Sequence, residues 1–319
     1  MTQKDEKLQP SLYDDDPSRL GDLTEESAEK ERESAYALMA LSSMKGVGPV
    51  TINRIFKNLN GEPHKLWDAD DAHLPNILGI NQTAISRSTL ADFILNRAKY
   101  RSIAEGQVEA LERKGTFILF PSSALYPKKL LDLKDPPTWL FAHGDPRVLH
   151  GPNSIAVVGT RDPSDAGIAS ARIVSKAIIE LGGTIVSGLA EGIDEISHQT
   201  SVDFGRPTIA VLGHGLDVIF PAKTAGLRKE IIDTGGCVIS EYLPYESFSR
   251  EKFVMRNRIQ ASLSCCVCVI EGRAKSGTAH TVRFANELHR EIFGAHLQLE
   301  SDIRQPNLEI LQSLSNTGH

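Results

Sequence analysis

Five short segments gather residue types that hold anions, and each follows an apolar run. Gly159-Thr160-Arg161 comes first. The glycine permits a tight turn, the helix behind it offers free N–H groups, and Arg161 suits a bidentate contact to phosphate. The plainer alternative is a strand-to-helix turn with Arg161 in solvent. The second segment runs from Ser187 and Gly188 through Gly192 to Asp194. Its glycines let backbone approach a ligand, Asp194 suits capping the next helix, and His198 lies one helical turn further on. Gly213-His214-Gly215 is the third segment, a close-approach pair or simply a turn. Fourth, Ser240-Glu241 precedes FSREKFVMRNRIQASLS, where Arg256 and Arg258 flank Asn257. Two guanidiniums around an amide suit phosphates or carboxylates, or ion pairs with Glu241 or Glu271. Fifth, Glu271-Gly272 leads to Lys275, Ser276, Gly277 and Thr278, where hydroxyls and N–H groups open a helix beside a point charge.

What these segments lack is equally informative. The chain has no HExxH, no CxxC pair and no G-x-x-x-x-G-K-[ST] loop. No nucleophile, base and orienting group recur at a usable spacing, so no catalytic residue, metal or cofactor is assigned. Cys265, Cys266 and Cys268 sit in an apolar run and read as residues of a buried strand.

The elements that must position these residues follow from periodicity. SIAVVG (154–159), TIVSG (184–188), TIAVLG (208–213), CVISE (237–241) and CVCVIEG (266–272) are short runs rich in Val and Ile. Helix-length segments such as 166–183 separate them. That alternation predicts an α/β fold: a Rossmann-like, mostly parallel sheet with helices on both faces and its ligand crevice at the strand C-termini. GTFILF (115–120) reads as a further β stretch, and the Pro-rich 125–145 as the entrance to the large domain. Residues 35–105 read as a small helical domain. There the Gly46-Val47-Gly48-Pro49 turn, with a weaker copy at Leu78-Gly79-Ile80, has the helix-hairpin-helix pattern, or simply makes a tight turn. The Rossmann-like domain is expected over 106–300 and a loose polar tail over 301–319.

Charge is unevenly placed along the chain. Residues 1–34 hold five Lys/Arg and eleven Asp/Glu, which accounts for the whole net charge of −6; the remaining residues hold 30 of each. That segment reads as a disordered acidic tail. A neutral body restricts any nucleic-acid site to a local basic patch. No 18-residue apolar run predicts a membrane span and no apolar core predicts a signal peptide, which with the cysteine cluster inside an apolar run fits a reducing cytoplasm.

In order and spacing, GTR, SGLAEGID, TIAVLGHGLDVIFP, GGCVISEYLP, FVMRNRIQASLS and VIEGRAKSGTAHT together resemble the DprA/Smf DNA-processing family, over residues 40 to 295. The resemblance implies a helical SAM-like domain before the Rossmann-like one, a homodimer, and single-stranded DNA bound in a positive pocket. It also implies delivery of that DNA to a RecA-type recombinase during natural transformation, without turnover chemistry. The pocket would use Arg161, Ser187, Gly188, Arg256, Asn257, Arg258, Lys275 and Ser276. Glu191 stands where the family carries Arg or an apolar residue, and Thr224 where it commonly has Asn. The C-terminal winged-helix domain of many members is expected to be lacking. Two other readings compete: a hydrolase of the wider Rossmann-like superfamily, with Glu241 or Glu271 as acid, and a sensor whose crevice binds a small nucleotide.

Overall fold

Residues 25–79, 85–297 and 308–316 are described in the computed structural model of the chain. Five helices open it: α1 (Glu25–Ser43), α2 (Pro49–Asn58), the single turn α3 (Leu74–Ile77), α4 (Arg87–Leu95) and α5 (Arg97–Arg113). α1 buries every residue from Ser34 to Leu41. Pro49, with no N–H to lose, starts α2 directly after the Gly46-Val47-Gly48 turn.

The acidic segment expected to be disordered to residue 34 is therefore corrected over 25–34, which form the first turns of α1. Glu33 explains why: its carbonyl accepts from Trp67 Nε1 at 3.0 Å and its carboxylate pairs with Arg101. A run of like charges is read as solvated only when no partner waits on another helix. Residues 1–24, and Ile80 of the second Gly turn, lie outside the described residues.

The helical region shares its core with the sheet. Phe56 of α2 meets Trp139 edge-on at 5.9 Å and lies 6.3 Å from Phe120, and one apolar cluster runs from Leu38 and Ile52 to Phe141, Ala210 and Val238.

Eight strands form one sheet: β1 (Thr116–Leu119), β2 (Leu140–Gly144), β3 (Ser154–Val158), β4 (Thr184–Ser187), β5 (Thr208–Val211), β6 (Cys237–Ser240), β7 (Cys266–Val269) and β8 (Glu291–Gly294). Their order is β1-β2-β6-β5-β4-β3-β7-β8. The six from β3 to β8 pair in parallel, whereas β1 and β2 join antiparallel. The chain steps outward from β3 to β6, then returns to place β7 on the other side of β3. That reversal is a topological switch point, where a crevice opens beyond the strand ends.

Six more helices complete the layers: α6 (Asp165–Glu180), α7 (Ile193–Asp203), α8 (Ala225–Asp233), α9 (Arg250–Leu263), α10 (Gly277–Glu287) and α11 (Glu309–Asn316). Alternate residues of β3 separate the faces. Val157 packs in a cluster with Ile178 of α6 and Ile193 of α7, whereas Ala156 and Val158 pack with Ala261 of α9 and Phe284 of α10.

Two strands and one helix depart from the sequence reading. β2 lies in the Pro-rich entrance segment, and β8 is an edge strand with only Ile292 buried. The expected loose tail carries α11, whose Ile310 is 3% exposed in the α9/α10 cluster. Residues 298–307 and 317–319 lie outside the described residues.

Candidate nucleic-acid interface

A cleft of about 610 Å³ opens at the switch point, between the end of β3, the start of α10 and one side of α9. Among the described residues lining it, Arg161, Arg250, Arg256 and Lys275 are basic and only Asp194 is acidic. A chain whose body is charge-neutral thus concentrates positive charge at one crevice.

The helix starts around the cleft differ in what occupies them. At α6, the first N–H groups expected to face an anion after Gly159-Thr160-Arg161 already have one. Glu271, 2% exposed, accepts from Ser164 N–H at 3.1 Å and from Ser164 Oγ at 2.9 Å, and Ser164 Oγ in turn accepts from Gly167 N–H. α9 is capped by Ser249, which accepts from Lys252 N–H. At α10 no side chain among the described residues caps the helix: Ser276 holds the N-cap position, its Oγ is buried without a partner among those residues, and open space surrounds Gly277. The orphan N–H groups and positive dipole end of α10 face the cleft beside the exposed Lys275.

Arg161 stands exposed at the mouth, its guanidinium 5.4 Å from the centre of the Phe253 ring. Arg256, 4% exposed, lies deeper. It donates to Gly188 O at 2.7 Å, to Val211 O, and through Nε to Asn257 Oδ1 at 3.2 Å. Burial, with Arg161 nearby, lowers its pKa to about 10, so it remains charged at neutral pH. Asn257 donates to Gly277 O at 3.0 Å and Thr278 Oγ1 to Gly159 O at 3.1 Å, which fixes the start of α10 against α9 and β3.

The glycines serve this packing. A Cβ on Gly188 would fall on the Arg256 guanidinium, and Gly192 combines a φ of +84° with Thr160 O only 2.5 Å from where its Cβ would stand. Gly159, Gly213 and Gly215 instead abut Ile193, Phe253 and the Leu243-Pro244 backbone, and the last two do not line the cleft.

Several expected contacts turn away from the cleft. Ser187 Oγ donates to Val157 O at 2.7 Å, inside the sheet. Arg258 is 6% exposed and donates to Glu241 Oε2 at 2.6 Å. Two residues along a helix is a rotation of about 200°, so Arg256 and Arg258 cannot share a face. Asp194 and His198 act as supports. Asp194 accepts from Gly188 N–H at 3.1 Å, and burial raises its carboxyl pKa against the pull of Arg256. His198 is wholly buried against Thr208 Oγ1 at 2.8 Å, and burial together with Arg256 pushes its pKa down to about 3.

The sequence reading missed the apolar rim and part of the floor. Phe220 and Phe248 stack with ring centroids 3.8 Å apart, Phe253 tilts against both, and Phe248 is 43% exposed. Arg250, Gln260, His280 and Thr281 also line the cleft. The available signal was the interleaving of Arg, Lys and Phe in FSREKF, a pattern suited to nucleic acid.

Residues 117–316 match the profile of the family described as DNA recombination-mediator protein A. The chain belongs to that family. Its relatives include Protein Smf of Synechocystis, 36% identical over 82% of this chain, and Protein Smf of Escherichia coli, 32% identical over 80%; the alignments span 64% of each of those proteins. Among solved structures, the family member DNA processing protein A from Streptococcus pneumoniae superposes with a TM-score of 0.65 at 27% identity, over 89% of this chain and 93% of that one. The Helicobacter pylori member, solved for its single-stranded DNA binding mode, gives a TM-score of 0.56 at 27% identity, over 63% of this chain and 88% of that one.

Proposed function

We propose that this cleft binds single-stranded DNA, with phosphates at the start of α10 and bases against the exposed Phe248 ring, and that the chain acts as a DNA-processing recombination mediator. The observation that carries this reading is the uncapped start of α10 beside Lys275 and Arg161, under a rim of stacked aromatics. Backbone N–H groups and cations hold phosphate without reading sequence, and exposed rings take any base face. Duplex DNA keeps its bases stacked and out of reach of Phe248. The Helicobacter pylori relative, whose structure concerns single-stranded DNA binding, supports the same ligand here. Delivery of the strand to a RecA-type recombinase, a homodimeric assembly, cytoplasmic residence and a role in natural transformation complete the proposal. Among the described residues no helix is long and apolar enough to cross a membrane.

Binding rather than turnover fits the carboxylates. Glu241 is engaged by Arg258 and Glu271 by Ser164, so neither acid offered by the sequence faces the cleft free to act on a nucleotide.

Competition in fluorescence anisotropy tests the reading. An unlabelled single strand should displace a labelled one, whereas duplex of equal length and free mononucleotides should compete weakly. Equal competition by duplex would contradict it, and displacement by mononucleotides alone would favour a small-ligand sensor.

A further inference from the structure

Lys275 reaches the cleft from the loop that joins β7 to α10, and the apex of that loop has no buried side chain: Arg273, Ala274 and Lys275 are exposed in succession. A lysine is a point charge on a flexible stem, so its contribution to a fixed site depends on the backbone that carries it. That backbone is tied from outside the loop. Glu309 Oε2 accepts from Ala274 N–H at 3.0 Å, and Ile310 N–H donates to Gly272 O at 3.1 Å. Both partners belong to the first turn of α11. The helix is seated by other residues than Glu309: Ile310 is buried among Ala156, Val158, Ala261 and Phe284, and Leu311 lies against Gly294 of β8.

We infer that Glu309 is a positioning residue for the cleft: by accepting from Ala274 N–H it fixes the loop so that Lys275 stands at the open start of α10. This rests on the proposed single-strand binding and deepens it. Glu309 does not line the cleft and acts through the loop. The sign of its charge separates this role from a bystander's. A carboxylate beside a site for a polyanion repels the ligand, so removing a bystander would tighten binding. Removing a positioning carboxylate does the opposite, because binding must then order the loop as well as hold the phosphate.

The test measures the affinity of the full chain for a labelled single-stranded oligonucleotide in wild type, Glu309→Ala and Glu309→Gln, and repeats Glu309→Ala in a Lys275→Ala background. Glu309→Ala should bind about 3- to 10-fold more weakly, the range of one lost hydrogen bond. Glu309→Gln, whose amide oxygen accepts the same bond without the charge, should bind at least as tightly as wild type. With Lys275 already removed, Glu309→Ala should weaken binding no further, since the two residues act as one unit. Binding by Glu309→Ala that equals or exceeds wild type would overturn the inference and leave single-strand binding intact. Equal losses in the Ala and Gln variants, or the full loss persisting without Lys275, would overturn it in the same way. Failure of wild type to bind any single strand would overturn the proposed function and this inference together.

Discussion

Arg258 Nη2 lies 2.6 Å from Glu241 Oε2, on the side of α9 turned away from the cleft that Arg256 lines. Both side chains of the pair are at least 85% buried, at 7% and 15% exposure. Removing one partner strands the other's charge, at about 3–5 kcal/mol for buried pairs. Arg258→Ala should therefore lower the thermal midpoint sharply while the folded fraction keeps its affinity for single strands. Calorimetry and anisotropy on the same sample would check this.

Phe248 offers the opposite separation. At 43% exposed, stacked only on its neighbours' rings, it carries little of the core. Phe248→Ala should leave stability nearly unchanged and weaken single-strand binding by about 1–3 kcal/mol, with the salt dependence unaltered because every phosphate keeps its partner. Titrations at several salt concentrations measure both quantities.

Gly188→Ala would place a methyl on the Arg256 guanidinium, which is tethered to Gly188 O and Val211 O and has nowhere to retreat. The expected cost is about 1–3 kcal/mol of overpacking, together with weaker binding as Arg256 is displaced from the cleft. Chemical denaturation measures the first effect and anisotropy the second.

Acid should destabilise the fold through His198. Its native pKa, near 3, lies below the ordinary 6.5. Below about pH 6.5 the unfolded chain takes up a proton that the buried ring refuses, so this contribution is complete above pH 6.5 and is lost as pH falls toward 3. His143 and His214, also lowered by burial, act in the same direction, and Asp194, raised by burial, opposes them at lower pH. Thermal midpoints at pH 7 and pH 5 should fall in that order, and His198→Gln should narrow the gap.

The fold was legible where local pattern and tertiary role agree. Ser154–Val158 and Thr208–Val211 are β-rich runs because parallel strands are buried on both faces. Leu140–Gly144 was hidden by the prolines before it, and Glu291–Gly294 by its exposed edge position, which removes the apolar run. For the site, strand-end position located the crevice but not the direction of each side chain. Ser187 and Arg258 carry suitable groups and face inward, a choice made by the sheet and by two residues of helical rotation. Glu271 read as a support, yet it claims the helix start that Gly159-Thr160-Arg161 led one to expect open. Phe248 and Phe253 fall within FSREKF, whereas Phe220 lies before β6 and joins them only through the packing of the segment beyond that strand.

The most direct test of the central claim is the salt dependence of single-strand affinity in wild type and in Arg161→Ala/Lys275→Ala. Neither residue is buried or ion-paired among the described residues, so the fold should be unaffected. Removing a cation from one phosphate reduces the slope of log affinity against log salt by about 0.7 for single strands. The cleft reading predicts a slope shallower by about 1.4 in the double variant, with weaker binding at low salt. An unchanged slope and affinity would place the DNA elsewhere on the molecule.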